Sequence, residues 1–248
     1  MTNQQLNGKS ALVTGGARRV GRGIALALAR AGADVVLTFR NSQAEAAEAV
    51  RAIEDLGRAA LAVPCELRSE ASVRTAVEAA VSRFGRLDIV VNNAAIFESA
   101  PLDTLTLDQW DAVFETNARG PFLVAREALP YLRASKSDEG GRIVNIGSLG
   151  GIHAWASHAH YCASKAALHS LTQAMAKAFA PEVSVNCVAP GWIEMDGSPA
   201  SEAQHFAAKT PMRRNGSVED VAQAVLFFAA GPHFVTGQTL AVDGGLGL

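Results

Sequence analysis

The chain has 248 residues, 49 % of them apolar and 19 % charged, with a formal net charge of −2. This length can bury a large core and suits one α/β domain or two small ones, while the charge argues against the basic face that nucleic acid or an acidic membrane surface needs. No apolar run approaches the ~20 residues of a membrane span, and the polar opening Met1–Lys9 holds no apolar signal core, so the expected setting is cytoplasmic.

Short β-branched or apolar runs alternate with longer amphipathic stretches along the chain. Ser10–Thr14 predicts a first strand, with a helix from about Val20 to Ala31 after it. Asp34–Phe39 predicts a second strand and Ala44–Leu56 a helix. Ala59–Val63 and Ala71–Phe84 repeat the pattern. Leu87–Val91 is a fourth strand, followed by one long helix over about Trp110–Leu132. Arg142–Ile146 and Tyr161–Phe179 form the next pair. Val183–Val188, a helix over Val218–Phe228 and a short strand at Thr239–Val242 close the series. Strand–helix alternation at this spacing predicts a Rossmann-type, doubly wound parallel sheet with helices on both faces. No linker or repeat interrupts it, so residues 1–248 read as a single domain. Cys65, Cys162 and Cys187 are few, far apart and set in apolar segments, which predicts buried, reduced thiols.

The first strand ends in Thr14-Gly15-Gly16-Ala17-Arg18-Arg19-Val20-Gly21. Gly15 permits a tight turn, Gly21 lets the new helix approach the sheet, and the exposed N–H groups of the helix start suit a pyrophosphate. A lone glycine motif is weak, but this one follows a strand, opens a helix and heads an alternating chain. An NAD site generally places a carboxylate after the second strand to hold the ribose 2′-hydroxyl. Here that strand ends Thr38-Phe39-Arg40-Asn41-Ser42. Arg18 and Arg40 instead offer guanidinium groups that suit a 2′-phosphate, which points to NADP(H).

Three later segments carry candidate chemistry: Ser148 after the fifth strand, Tyr161 and Lys165 in the following helix, and Asn117 in the long helix. Tyr161 and Lys165 lie four apart and share a helical face. A free tyrosine titrates near ~10. An adjacent ammonium, together with an oxidised nicotinamide, favours the phenolate and is expected to lower that value toward the working range for proton transfer. Lys165 can also donate to the nicotinamide ribose, and Ser148 can hold the substrate oxygen. Each residue alone has an ordinary structural explanation; their order behind a dinucleotide turn sets them apart.

These features together resemble the short-chain dehydrogenase/reductase family. The motifs are Thr14-Gly15-x3-Arg19-x-Gly21, Asn92-Asn93-Ala94-Ala95, Asn117, Ser148, Tyr161-x3-Lys165 and Pro190-Gly191, and the likeness runs to Val242-Asp243-Gly244-Gly245. The resemblance implies a catalytic tetrad of Asn117, Ser148, Tyr161 and Lys165. In it Tyr161 is the proton donor in reduction, Ser148 orients the carbonyl, Lys165 holds the ribose and Asn117 anchors a relaying water. It also implies cofactor contacts from Val20, Asn41, Glu66, Leu67, Asn93, Ala94, Ala95, Pro190, Gly191 and Ile193, beside those of Gly15, Arg18, Arg19, Gly21 and Arg40. A homotetramer built partly on Trp110–Leu132 and Tyr161–Phe179 belongs to the same expectation.

Some positions depart from the family pattern. Arg19 replaces the middle glycine of the turn, which is similar to pteridine reductases and some acyl-carrier reductases. Glu66 stands where an aspartate often meets the adenine, Ala95 replaces a glycine, and Met195 stands where a threonine often contacts the cofactor. The Tyr-x3-Lys spacing is shorter than that of the superfamily's enoyl reductases.

The substrate side is expected at Phe97, Ser148, Trp155 and Trp192, with His153, His158 and Met195 near them. This mix could stack a flat ring such as a pterin or line a channel for an acyl thioester; ordinary loop packing is an equal alternative. Lys209, Arg213 and Arg214 could meet an anionic carrier or form a solvated face. The irregular spacing of His153, His158 and His160 predicts no metal site. The leading expectation is an NADPH-dependent carbonyl reductase of the 3-oxoacyl thioester type acting on a small carbonyl or alcohol. A pteridine reductase is the alternative, and a non-catalytic NADP(H) sensor or scaffold is the alternative of another class.

Overall fold

The computed structural model describes residues 5–135 and 140–248; the first four residues of the polar opening stretch lie outside them. Seven strands form one parallel sheet: β1 (Ser10–Val13), β2 (Asp34–Phe39), β3 (Ala60–Pro64), β4 (Ile89–Asn92), β5 (Gly141–Ile146), β6 (Val183–Pro190) and β7 (Thr239–Val242). Their order is β3-β2-β1-β4-β5-β6-β7, and every pairing is parallel. The Rossmann-type expectation holds.

Alternation along the strands divides the core in two. Val13, Leu37 and Val91 face one side, where α1 (Arg19–Arg30), α2 (Gln43–Glu54) and α8 (Val218–Ala230) supply Ile24, Leu28, Ile53, Val225 and Phe228. Leu12, Val36 and Val90 face the other, against Val73 and Val77 of α3 (Glu70–Phe84), Leu123 and Leu132 of α5 (Gly120–Arg133), and Met175 of α6 (Ala159–Phe179). Successive residues of one strand therefore serve different helix layers, as a period of two demands. The three cysteines are buried and free. Among the described residues no helix is long and apolar enough to cross a membrane.

The long helix expected over Trp110–Leu132 is corrected. It starts earlier, as α4 (Leu107–Phe114) behind a Thr106–Gln109 capping box. A π turn over Glu115–Arg119 then separates it from α5. Pro121 has no N–H to give the Asn117 carbonyl four residues before it, so the regular ladder cannot run through this point. A further helix, α7 (Ala200–Lys209), follows β6.

The turn after β1 takes a left-handed backbone at two positions, one of them not glycine. Arg19 sits at φ +52° and Gly15 at +63°. The left-handed region costs a non-glycine residue roughly 1–2 kcal/mol. Arg19→Gly is therefore expected to stabilise the protein by about 0.5–1 kcal/mol after the flexibility of glycine in the unfolded chain is offset. Arg19→Ala, which keeps the Cβ, should bring no such gain; urea unfolding of the two variants measures the contrast.

Candidate active site

The carboxyl ends of the strands open into a cleft of about 1550 Å³. Its floor is knitted from β1, β2 and β4. The Thr14 hydroxyl oxygen accepts from the N–H groups of Asn93 (2.9 Å) and Ala94 (3.1 Å). The Asn93 amide donates back to the carbonyls of Thr14 (2.9 Å) and Gly15 (3.2 Å). Gly15 N–H donates to Thr38 Oγ1 (3.2 Å). A Cβ on Gly21 would collide with the Gly15 carbonyl oxygen and the Asn93 amide. The glycine at 21 is thus required by close approach, and the cradle it leaves at the start of α1 suits a pyrophosphate.

Every residue expected to touch cofactor or substrate lines this one cleft, from Arg40 at one end to Trp192 at the other. Arg18 and Arg40 are 57 % and 54 % exposed and lie near carboxylates, Glu45 at 3.6 Å and Glu66 at 3.9 Å. Glu66 also takes the Arg68 guanidinium at 3.3 Å, and its carboxyl titrates below the usual range because hydrogen bonds from Arg68 and nearby arginines outweigh partial burial. Arg213 and Arg214 are engaged locally. Arg214 grips Asp220 at 2.7 and 2.8 Å, and Arg213 donates to the Ala208 carbonyl.

Asn117 is the exception. It is fully buried behind the cleft wall. Its Oδ1 accepts from Ile96 N–H (2.8 Å), while its Nδ2 donates to the Ile96 carbonyl (2.9 Å) and Ser164 Oγ (3.1 Å). The side chain clamps the loop after β4 to α6.

Ser148 caps a tight 3₁₀ turn, its Oγ accepting from Gly150 N–H at 3.0 Å. Lys165 Nζ donates to the Ile146 carbonyl at 2.7 Å and lies 5.8 Å from the Tyr161 ring centre. Burial pushes the Lys165 ammonium down to about 8. Burial also pushes the Tyr161 phenol above its ordinary value, and the hydrogen bond with Ser148 only partly opposes it. The sequence expectation that Lys165 would depress this phenol is corrected for the protein alone. The ammonium sits beside the ring, and desolvation of the phenolate is the larger effect. Tyr161 is accordingly protonated at neutral pH, which suits a proton donor.

Two residues of the site carry no signal that single-sequence reading could use. Thr38 looks like an ordinary strand residue. His169, one helical turn after Lys165, lies behind Ser148, and its Nε2 accepts from Ser148 N–H at 3.4 Å. Burial and then the Lys165 charge push its imidazole down to about 4, so the nitrogen stays a neutral acceptor. The three histidines expected to form no metal site diverge. His153 and His158 line the cleft, while His160 is buried with both ring nitrogens unpartnered.

A parallel sheet in this order, with a glycine turn at its switch point and a Ser–Tyr–Lys group beside it, defines a dinucleotide-fold oxidoreductase. A family model described as Enoyl-(Acyl carrier protein) reductase matches residues 15–247. The chain is 36 % identical over 244 residues to a 3-oxoacyl-(acyl-carrier-protein) reductase of Synechocystis sp., covering 97 % of this chain and 98 % of that protein. A solved short chain dehydrogenase from Burkholderia cenocepacia J2315, in complex with NADP, matches with a TM-score of 0.90 at 39 % identity over 98 % of this chain and 100 % of its own. A blue fluorescent protein from a metagenomic library, in complex with NADPH, matches at 0.89 and 39 % over 98 % and 99 %. The chain belongs to the short-chain dehydrogenase/reductase family and is an oxidoreductase.

Holding Lys165 charged in the core opposes folding. Its folded pKa of about 8 lies below the ordinary lysine value of 10.5, so between those values the unfolded chain binds more protons and stability rises with pH. Below about pH 8 the full penalty applies. Lys165→Met should therefore be more stable than the parent at pH 7 by about 1–3 kcal/mol. The gap should narrow as pH is raised from about 8 to 10.5; denaturant titrations across that range test it.

Proposed function

We propose that the chain is an NADP(H)-dependent carbonyl reductase that shares the reaction type of the 3-oxoacyl thioester reductases, with Tyr161 as proton donor. The carrying observation is that Tyr161, Ser148 and Lys165 share one cleft with the Gly15–Gly21 cradle. That cradle supports a dinucleotide, because the glycine at 21 lets the start of α1 close onto the Gly15 turn and present its N–H groups there. Gly15, Arg19, Val20, Gly21 and Asn93–Ala95 would hold the pyrophosphate and neighbouring ribose, with Glu66 and Leu67 near the base. Pro190, Gly191 and Ile193 would flank the nicotinamide. Arg18, Arg40 and Asn41 would take the 2′-phosphate. Their ion pairs with Glu45 and Glu66 are no obstacle, since exposed pairs at such distances are worth ~0–1 kcal/mol, less than a guanidinium–phosphate contact. The NADP and NADPH of the two solved relatives support the same choice.

When bound, the reduced nicotinamide supplies a hydride and its two electrons to the carbonyl carbon. Ser148 Oγ holds the carbonyl oxygen, and Tyr161 Oη gives that oxygen its proton. Lys165 stabilises the phenolate left behind, which regains a proton from solvent. Asn117 sets the loop and helix around these groups, and Pro121 leaves its carbonyl without a regular helical donor, so it can hold a relaying water. Carbonyl rather than enoyl chemistry rests on the four-residue Tyr161–Lys165 spacing. The same reading carries a homotetramer using the outer faces of α5 and α6.

Tyr161→Phe should lower kcat by about 10³-fold or more with NADPH binding retained, in line with loss of a general acid at a preorganised site. Reductive kcat/KM should fall as pH rises through about 8, where Lys165 loses its charge. Arg40→Ala should raise the KM for NADPH about tenfold and leave that for NADH nearly unchanged. Absorbance at the nicotinamide band reports all three with a panel of ketones, an acetoacetyl thioester and a dihydropterin. NADPH binding with no turnover on any of them would overturn the reading in favour of a sensor.

A further inference from the structure

We infer that the substrate half of the cleft is built to stack a flat, uncharged fused-ring ketone rather than to thread a flexible acyl chain. The inference rests on the carbonyl-reductase reading and names its substrate class.

The rings of Phe97, His158, Trp155 and Tyr161 form a closed cycle of contacts. Phe97 stacks on His158 with ring centres 4.6 Å apart at 11° and meets Tyr161 edge-on at 4.8 Å. Trp155 lies nearly parallel to Tyr161 at 6.3 Å and 18°, and edge-on to His158 at 6.0 Å. A second pair, Trp192 stacked on Phe206 at 5.3 Å, lines the same cleft from the β6–α7 side. Stacked and edge-on pairs hold their partners in fixed orientation, so these walls are set before a ligand arrives. Phe97 is 59 % exposed although it is the ring in contact with Tyr161. An exposed aromatic face at the reacting group is a surface that a flat ligand can cover. Burial, and then His160, push the His158 imidazole below its ordinary value. At neutral pH it presents an uncharged ring, consistent with its stacking on Phe97.

A phosphorylated or carrier-borne thioester needs cations along its path. Of the three basic residues on that side, Arg214 is taken by Asp220 and Arg213 is turned to the Ala208 carbonyl. Lys209 alone among them lines the cleft. The balance on this side is aromatic, with little charge.

The test compares 1-tetralone, 2-octanone and an acetoacetyl thioester with NADPH, in the parent, Phe97→Leu and Trp155→Leu. Binding of 1-tetralone is read separately by quenching of tryptophan fluorescence in the presence of NADP⁺, where reduction cannot proceed. The parent should favour 1-tetralone over 2-octanone by about tenfold or more in kcat/KM. Each variant should lose about threefold to tenfold on 1-tetralone, mostly through KM, and distinctly less on 2-octanone. Trp155→Leu should also remove most of the quenching. Equal or better use of 2-octanone or the thioester by the parent would overturn the inference, as would equal losses on both ketones. Quenching by 1-tetralone with no turnover of any carbonyl would uphold the stacking site and sink the reductase reading. Turnover of 2-octanone with no 1-tetralone binding would do the reverse.

Discussion

The amide of Asn93 reaches across from β4 and donates to the carbonyls of Thr14 and Gly15, while the Thr14 hydroxyl accepts from Asn93 and Ala94 in return. This exchange ties the ends of β1 and β4 together at the point where strand order reverses. The chain leaves β1 and β2 for helices on one face and leaves β4 for helices on the other. A crevice must open between those directions, and the Asn93 exchange sets how wide it is. α1 can rest there only because residue 21 has no Cβ to meet the Gly15 carbonyl and the Asn93 amide. The phosphate cradle is therefore a consequence of the close approach that builds the sheet.

The opposite end of the cleft obeys a costlier constraint. Lys165 is fully buried, held by one carbonyl, and faces His169 and Cys187 without a carboxylate among the causes that set its charge. Its ammonium lowers the His169 pKa and counteracts the burial that holds the Cys187 thiol up at about 11. A fold selected for stability alone would place an apolar side chain here. The site instead holds an ammonium without a carboxylate beside Tyr161, which fits the proposed role of stabilising charge only during reaction.

The legible parts of this molecule were those governed by local pattern. Strand alternation gave the sheet, and the Gly15–Gly21 spacing behind a strand gave the turn. The four-residue Tyr161–Lys165 spacing gave a shared helical face. What stayed hidden depends on contacts between distant segments or on competition between effects. The π turn at Glu115–Arg119 follows from Pro121, yet the apolar period of the long helix runs through it undisturbed. α7 buries no residue, so the core makes no apolar demand on its sequence. His169 looks like a surface helix residue until β5 is packed beside it. For the Tyr161 phenol of the protein alone, spacing reveals the neighbouring charge and is silent on the burial that outweighs it.

The two halves of the cleft treat their ligands by opposite physical means. At the β2 end the arginines are half exposed and share loose pairs with Glu45 and Glu66. Such pairs reorganise at a cost of ~0–1 kcal/mol, so an arriving anion can take both guanidinium groups without disturbing the fold. At the β5–α6 end the rings around Tyr161 brace one another in a closed cycle, and the turn that carries Ser148 is tied to α6 through His169. Little can rearrange there without breaking several contacts together. Charge recognition tolerates adaptation because Coulomb attraction varies slowly with distance, whereas proton transfer requires the donor within a few tenths of an ångström of its place. With Tyr161 as the proposed proton donor, the rigid half has to be the half that holds it.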